Sequence, residues 1–544
     1  TKEERQRGVR LACQCRPAGE GIIVLEIPPE SQRGWQRLQT SGLMPSHALA
    51  PDVRRLRAPQ RITVPWLRSS RLRLAQEFER VQGESVHAGR SERSVVVWKR
   101  EILSILPKGE PMLGMAFDIG STKIAGFLVD LDRGDVLETV SAPNPQMVHG
   151  EDIMSRLAFA RSSPSQEAQL HNEIVEALNE LIRKACGMAR QPLGHVFEIV
   201  AVGNTAMQHL FVGVPTDGLS RAPYTPATVR EEVRVAGPFG LRGCPAAPVV
   251  APPVVAAFVG SDLVAGVLST RMHRTSGLRV FIDVGTNTEI CAGDRGRLVA
   301  CSTPSGPAFE GAHIRFGMRA ADGAVERVAI EPETFHVDYR VIGRMKPRGL
   351  CGSALLDLLA DLFRSGAIDG AGRLQKKAAP DRIRRAGGQL AFCVVGADAT
   401  SIKQDILLTQ DDIGQLQLAK AAIHAGISIL LDTLHRSVQD IRALYLAGAF
   451  GSYLAPESAR VVGMLPDLPL DRVHFVGNTA GSGARLALVS SRERETMGRL
   501  ARRIRHISLA GDQRFPREFA SSLFLPHRNP SRFPSVARHR ARRQ

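Results

Sequence analysis

Met115-Ala116-Phe117-Asp118-Ile119-Gly120-Ser121-Thr122-Lys123-Ile124-Ala125-Gly126-Phe127-Leu128-Val129-Asp130 is an apolar run, a turn of glycine and hydroxyls, and a second apolar run. Such a pattern predicts two strands joined by a tight turn, with Asp118 closing the first. Val280-Phe281-Ile282-Asp283-Val284-Gly285-Thr286-Asn287-Thr288-Glu289-Ile290 repeats that grammar later in the chain. Two matching hairpins a domain's length apart predict a duplicated α/β fold whose two lobes face a cleft. In each turn the glycine lets backbone amides approach a phosphate, the hydroxyls donate hydrogen bonds, and the aspartate can hold a hydrated Mg²⁺. A single D-x-G-S/T turn is explained equally well by hairpin conformation alone. The pair points to a nucleotide polyphosphate gripped between lobes.

A third element has the same direction. Leu444-Tyr445-Leu446-Ala447-Gly448-Ala449-Phe450-Gly451 is a strand entering a small-residue turn, and Val476-Gly477-Asn478-Thr479-Ala480-Gly481-Ser482-Gly483-Ala484 opens a helix with little side-chain bulk. Turns of this kind let a purine and its ribose lie against the backbone, and they also serve tight helix–sheet packing. Around these motifs the Val/Ile/Gly-rich α/β texture holds from residue 111 to about 490, with the second lobe starting near 279.

Composition sets the outer limits. A chain of 544 residues is too long for one core, so two or three domains are expected. With 43% hydrophobic and 23% charged residues it is neither disordered nor a membrane protein, and no run nears the roughly 20 apolar residues of a membrane helix. Thr1-Lys2-Glu3-Glu4-Arg5 is not a signal peptide, so the expected location is the cytoplasm. The eight cysteines include no CxxC, which argues against a zinc site or disulfide framework. The net charge of +17 comes from arginines spread along the chain, so nucleic acid is not expected as a partner. Only residues 527–544 are basic without acids, and they read as a disordered tail. Residues 1–30 look like the end of a small β-rich domain, 31–110 a linker and small middle domain, and 491–526 a charged helix with a closing segment.

Phosphate hairpin, second phosphate hairpin and glycine-rich turn, in that order, resemble the actin, sugar kinase and Hsp70 (ASKHA) superfamily. Asn144-Pro145-Gln146 with Gly150-Glu151-Asp152-Ile153-Met154-Ser155-Arg156, Val202-Gly203-Asn204-Thr205-Ala206-Met207-Gln208-His209, Phe258-Val259-Gly260-Ser261-Asp262, Ser305-Gly306-Pro307-Ala308-Phe309-Glu310-Gly311, Gly317-Met318-Arg319-Ala320 and Gly349-Leu350-Cys351-Gly352-Ser353 narrow the resemblance. They are similar to the ATP-dependent reductive activators of corrinoid proteins, which return Co(II) to Co(I).

The resemblance implies ATP and Mg²⁺ as ligands, a corrinoid protein of a methyltransferase system as partner, and an upstream low-potential electron donor. It leaves a homodimer open. Asp118 and Asp283 would position Mg²⁺; Gly120, Ser121, Thr122, Gly285, Thr286 and Asn287 would cradle phosphates; Gly448, Gly451, Gly481 and Gly483 would line the adenosine side. Glu310 is the candidate for orienting the attacking water, with loop stabilisation as its alternative. Ser302, on an expected exposed turn, is a candidate to approach the cobalt face, with a hydroxyl bonded to its own turn as the alternative. Lys123 is expected at the surface, and His209 and His313 as ordinary core or surface histidines.

Relatives of this type carry an N-terminal plant-type ferredoxin domain of β-grasp fold with a 2Fe-2S cluster. Residues 1–30 match its end, and Cys13 is the one cluster ligand that carries over. The other three are expected upstream of Thr1. A small-metabolite kinase of the same superfamily and a dehydratase-activator-like ATPase are the competing readings, and a nucleic-acid-binding ATPase a third. Deleting residues 527–544 would separate that third reading from corrinoid activation.

Overall fold

The computed structural model describes residues 42–57, 64–78, 93–448 and 454–541. The ferredoxin-like remnant with Cys13, and Gly451 of the third motif, lie outside them. Four short strands come first: β1 (Val53–Arg57), β2 (Arg73–Leu74), β3 (Arg93–Trp98) and β4 (Glu101–Pro107). They form one sheet in the order β1-β3-β4-β2. Val53, Val95, Val96, Val97 and Ile102 on this sheet are buried in the same apolar cluster as the first lobe, so the small sheet has no core of its own.

The first lobe holds β5 (Leu113–Ile119), β6 (Lys123–Asp130), β7 (Val136–Pro143), β8 (Val196–Gly203), β9 (Glu232–Val235) and β10 (Pro248–Ala251). The second holds β11 (Arg279–Asp283), β12 (Thr288–Gly293) and β13 (Leu298–Thr303). Two small three-stranded sheets are inserted after it: β14 (Ala324–Ile330), β15 (Val337–Val341) and β16 (Gly349–Leu350), then β17 (Ile383–Ala386), β18 (Gln389–Val395) and β19 (Ile406–Thr409). The second lobe resumes with β20 (Ala443–Ala447), β21 (Val473–Gly477) and β22 (Ile504–His506).

The duplication is explicit in the pairing. In the first sheet β5, β6 and β7 form an antiparallel meander while β8 and β10 run parallel to β5. In the second, β11, β12 and β13 form the meander while β20 and β21 run parallel to β11. The inner strands β8 and β12 are buried at every position, so their side chains do not alternate between buried and exposed, and each carries a buried carboxylate, Glu198 and Glu289, among apolar residues. The Pro164–Ala189 helix buries Leu170, Ile174, Leu178, Leu181 and Ala185 at helical spacing. Helix Gln410–Leu434 begins at a capping box, Thr409 with Asp412, and packs against β12 and β13.

Residues 42–50 form a strap from β21 along the Thr479–Val489 helix. The Leu43 amide donates to Val476 O (2.8 Å), the Ala50 amide to Val489 O (2.9 Å), and the Ser491 amide returns to Ala50 O (2.9 Å). A Cβ on Gly42 would stand 2.1 Å from the Asn478 carbonyl oxygen.

The C-terminal stretch departs from the disordered tail expected from its charge. It is folded through Ala541, with a helix at Pro534–Ala541 and Phe533 fully buried. Lys420, itself buried, donates to the carbonyls of Phe524 and Pro526, and Gln417 Nε2 to that of Leu523. Deleting residues 527–544 would therefore strip Phe533 and Val536 from the second lobe's core, so that deletion no longer isolates a nucleic-acid role. Replacing Lys420 by Met is expected to lower stability by about 2 kcal/mol and to expose residues 523–541 to limited proteolysis. Unchanged protease resistance would contradict this anchoring.

Among the described residues no helix is long and apolar enough to cross a membrane.

Candidate functional site

The ends of β5 and β11 face each other across one interlobe cavity of about 520 Å³. Asp118, Gly120, Ser121 and Thr122 line it from the first lobe, and Asp283, Gly285, Thr286 and Asn287 from the second. Both hairpins predicted from sequence therefore meet. Gly448 also lines the cavity; its φ of +87° suits glycine, and a Cβ there would stand 2.8 Å from Asp283 Oδ1.

Several lining residues were not assigned a role from the sequence. Asp262 opens the Ser261–Thr270 helix, and Glu289 lies directly opposite Asp283 in the β11–β12 register. Burial pushes Asp118 up to about 6, Asp262 to about 7 and Asp283 to about 8. Glu289 is raised well above the ordinary carboxylate range, by burial first and then by Asp262 and Asp283. Asn478 works in two directions: its Oδ1 caps the Thr479–Val489 helix at the Gly481 amide, and its Nδ2 donates to Asp118 Oδ2 at 3.0 Å. Lys123, expected at the surface, lines the cavity instead; burial lowers its pKa while Asp118 pulls it back up.

Glu310 lines the cavity and accepts a hydrogen bond from the Thr286 hydroxyl at 2.9 Å. Ser302 does not stand on an exposed turn. It is the penultimate residue of β13, half-buried, donating to Glu289 Oε1 at 3.2 Å, and it is not among the residues lining the cavity. Gly481 and Gly483 do not line the cavity either. A Cβ on Gly481 would meet the Phe127 ring at 2.6 Å, and one on Gly483 would meet Ala265 Cβ at 2.3 Å, so both serve close packing. His209 is a buried core residue with Nδ1 donating to Thr205 O, and His313 is exposed.

The six described cysteines are free and buried, and none joins a metal-ligating group. Away from the cavity, ring nitrogens of His424 and His527 and the Glu518 carboxylate lie within 4.8 Å of one another. The Asn529 amide donates to His527 Nδ1 at 2.9 Å, which leaves the proton of a neutral ring on Nε2, facing Glu518 Oε1 at 3.6 Å. Arg532 also pairs with Glu518. The Arg532 guanidinium already pairs with that carboxylate, so the cluster closes the C-terminal segment and does not suit a further cation.

Comparison with known proteins agrees with this geometry. A family model described as the C-terminal ASKHA domain of RACo matches residues 277–537, and one described as the RACo middle region matches 113–275. The family's middle region thus falls on the first lobe, and residues 31–110, read from sequence as a linker and middle domain, precede it. The corrinoid activation enzyme RamQ of Eubacterium limosum is 35% identical over 434 residues, covering 77% of this chain and 72% of its own. The Co(II) methylated amine-specific corrinoid protein reductase of Methanosarcina barkeri is 24% identical over 435 residues, covering 74% and 75%. The solved structure of a reductive activator for corrinoid, iron-sulfur protein is 32% identical with a TM-score of 0.79, over 98% of this chain and 90% of that one. Two mirrored lobes closing on an acid-lined cavity, together with these matches, place the chain in the family of ATP-dependent reductive activators of corrinoid proteins.

Proposed function

We propose that this chain uses ATP bound between its lobes to return the Co(II) of a corrinoid protein to Co(I), a one-electron reduction fed by an upstream low-potential donor. The observation that carries the reading is the convergence of both hairpin turns with Asp118, Asp262, Asp283 and Glu289 in one cavity. Its volume of about 520 Å³ is in the range of small-molecule sites. Carboxylates whose pKa values are raised first by burial, and for Asp262, Asp283 and Glu289 also by neighbouring carboxylates, form an oxygen donor set suited to a hard divalent cation.

In this reading Asp118 and Asp283 hold Mg²⁺, which supplies neutralising charge to the phosphates. Gly120, Ser121 and Thr122 cradle the phosphates from one lobe, and Gly285, Thr286 and Asn287 from the other. Gly448 admits the nucleotide close to the backbone. Glu310, held by the Thr286 hydroxyl, orients the attacking water. Because the two turns belong to different sheets, occupation draws the lobes together and hydrolysis releases them, a displacement that a docked corrinoid partner experiences. Cys13, which lies outside the described residues, remains the residue of this chain assigned to a 2Fe-2S cluster.

The test is anaerobic absorbance spectroscopy of Co(I) with a candidate corrinoid protein, a reductant and nucleotide. Co(I) is expected with ATP and not with ADP. Phosphate transfer to a small metabolite, indifferent to the corrinoid protein, would favour the kinase reading and overturn this one.

A pH dependence follows. Asp118, Asp262 and Asp283 have pKa values of about 6, 7 and 8 in the fold against 3.8 unperturbed, so the folded state binds their protons more tightly. The metal-free protein should lose stability as pH climbs through that window, and a divalent cation should restore it. The rise in melting temperature on adding Mg²⁺ is expected to be several degrees larger near pH ~8.5 than near pH ~5.5. A Mg²⁺ effect independent of pH would contradict the donor assignment.

A further inference from the structure

Among the described residues, five carboxylates face the interlobe cavity, Asp118, Asp262, Asp283, Glu289 and Glu310, and two cations face it with them, Lys123 and Arg319. A nucleoside triphosphate brings roughly four further negative charges, more than one divalent cation and one ammonium offset beside such a wall. Lys123 comes from the first lobe and is already drawn to Asp118. Arg319 comes from the second lobe, is half-buried, and has no hydrogen bond or ion pair with any described residue. A guanidinium lining a pocket without an acceptor is a polar group awaiting a ligand.

Its placement is fixed by the backbone. The short 3₁₀ helix Ala308–Glu310 ends at Gly311, whose φ is +85°. The chain then returns: the Met318 amide donates to Leu350 O (2.9 Å), and the Leu350 amide to Phe316 O (2.7 Å). A Cβ on Gly311 would stand 2.5 Å from Met318 N, and one on Gly317 would stand 2.1 Å from Gly311 O. The outgoing and returning passes are therefore in backbone contact, which carries Arg319 alongside Glu310. Since Glu310 is tied to Thr286 of the second hairpin turn, the pass that carries Arg319 runs on that turn's side of the cavity.

We propose that Arg319 is the second lobe's contact for the terminal phosphoryl group of the bound nucleotide. Resting on the nucleotide reading above, this makes Arg319 the residue that distinguishes a triphosphate from a diphosphate and, opposite Lys123, helps draw the lobes together. The guanidinium fork matches two phosphoryl oxygens at once, a geometry an ammonium cannot copy.

Equilibrium binding of Mg-ATP and Mg-ADP to the full chain tests this, by calorimetry on the wild type, Arg319→Ala and Arg319→Lys. Arg319→Ala is expected to weaken ATP binding about 10–100-fold while changing ADP binding less than about threefold, with Arg319→Lys recovering part of the loss. Because the side chain makes no bond to any described residue, unchanged melting temperatures are expected and serve as the folding control. An equal loss for both nucleotides, or an unaltered ATP-to-ADP ratio, overturns the assignment while leaving the nucleotide site intact. A wild-type protein that binds neither nucleotide overturns the underlying reading instead, and with it this one.

Discussion

Asp283→Asn should lower ATP-dependent Co(I) formation by about 100-fold or more while raising the melting temperature of the metal-free protein. The two effects have one cause. Asp283 closes β11, faces Glu289 across the strand pair, and is pushed up to about 8 by burial and by Asp262 and Asp118. An ionised carboxylate there is costly until a cation arrives. Asparagine keeps the shape and removes the charge, so at pH ~8 the empty fold gains on the order of 2 kcal/mol, although the cation loses a ligand. Anaerobic cobalt spectroscopy reads the first effect and differential scanning fluorimetry without Mg²⁺ the second. Full activity would remove Asp283 from the cation site; a lower melting temperature would show that the crowded carboxylates do not strain the empty cleft.

The second large effect is expected from Gly483→Ala. The added methyl would stand 2.3 Å from Ala265 Cβ and 2.5 Å from Ala265 Cα, neither of which can rotate away. Helices Ser261–Thr270 and Thr479–Val489 would have to part, at a cost of about 3 kcal/mol. The damage would not stay local. One helix carries Asp262 into the cavity, and the other begins beside Asn478, which holds Asp118. Thermal unfolding is expected to fall by several degrees, with nucleotide affinity following it down. A variant of wild-type stability with selectively weakened adenine binding would restore Gly483 to the nucleotide-lining role suggested by sequence.

These variants also mark where sequence reading succeeds and stops. Asp118 and Asp283 with their glycine turns were legible because the strand, the turn and the hydroxyls are all local in the chain. Asp262 was visible only as the end of a family-like stretch, residues 258–262, and received no role: it reaches the cavity through a helix packed against Gly483, an approach that no local pattern encodes. Glu289 was visible within the second hairpin but acquires meaning only through the register that sets it against Asp283. Small residues at Gly481 and Gly483 fit a purine or a helix crossing equally well, and only the facing Phe127 and Ala265 decide. Ser302 was misplaced because the hydroxyl-rich run looked like one turn, whereas pairing with Glu289 extends β13 to Thr303. The basic C-terminus misled because its charge hid one apolar anchor, Phe533, seated against the His424 ring at 5.5 Å between centroids.

The strap at residues 42–50 has a mechanical meaning. Its first described residue, Gly42, abuts the peptide of Asn478, and the Asn478 side chain is what grips Asp118. A single residue, Asn478, thus separates the strap from an acidic group in the cleft, and a bulkier side chain at position 42 is expected to disturb the hold on Asp118.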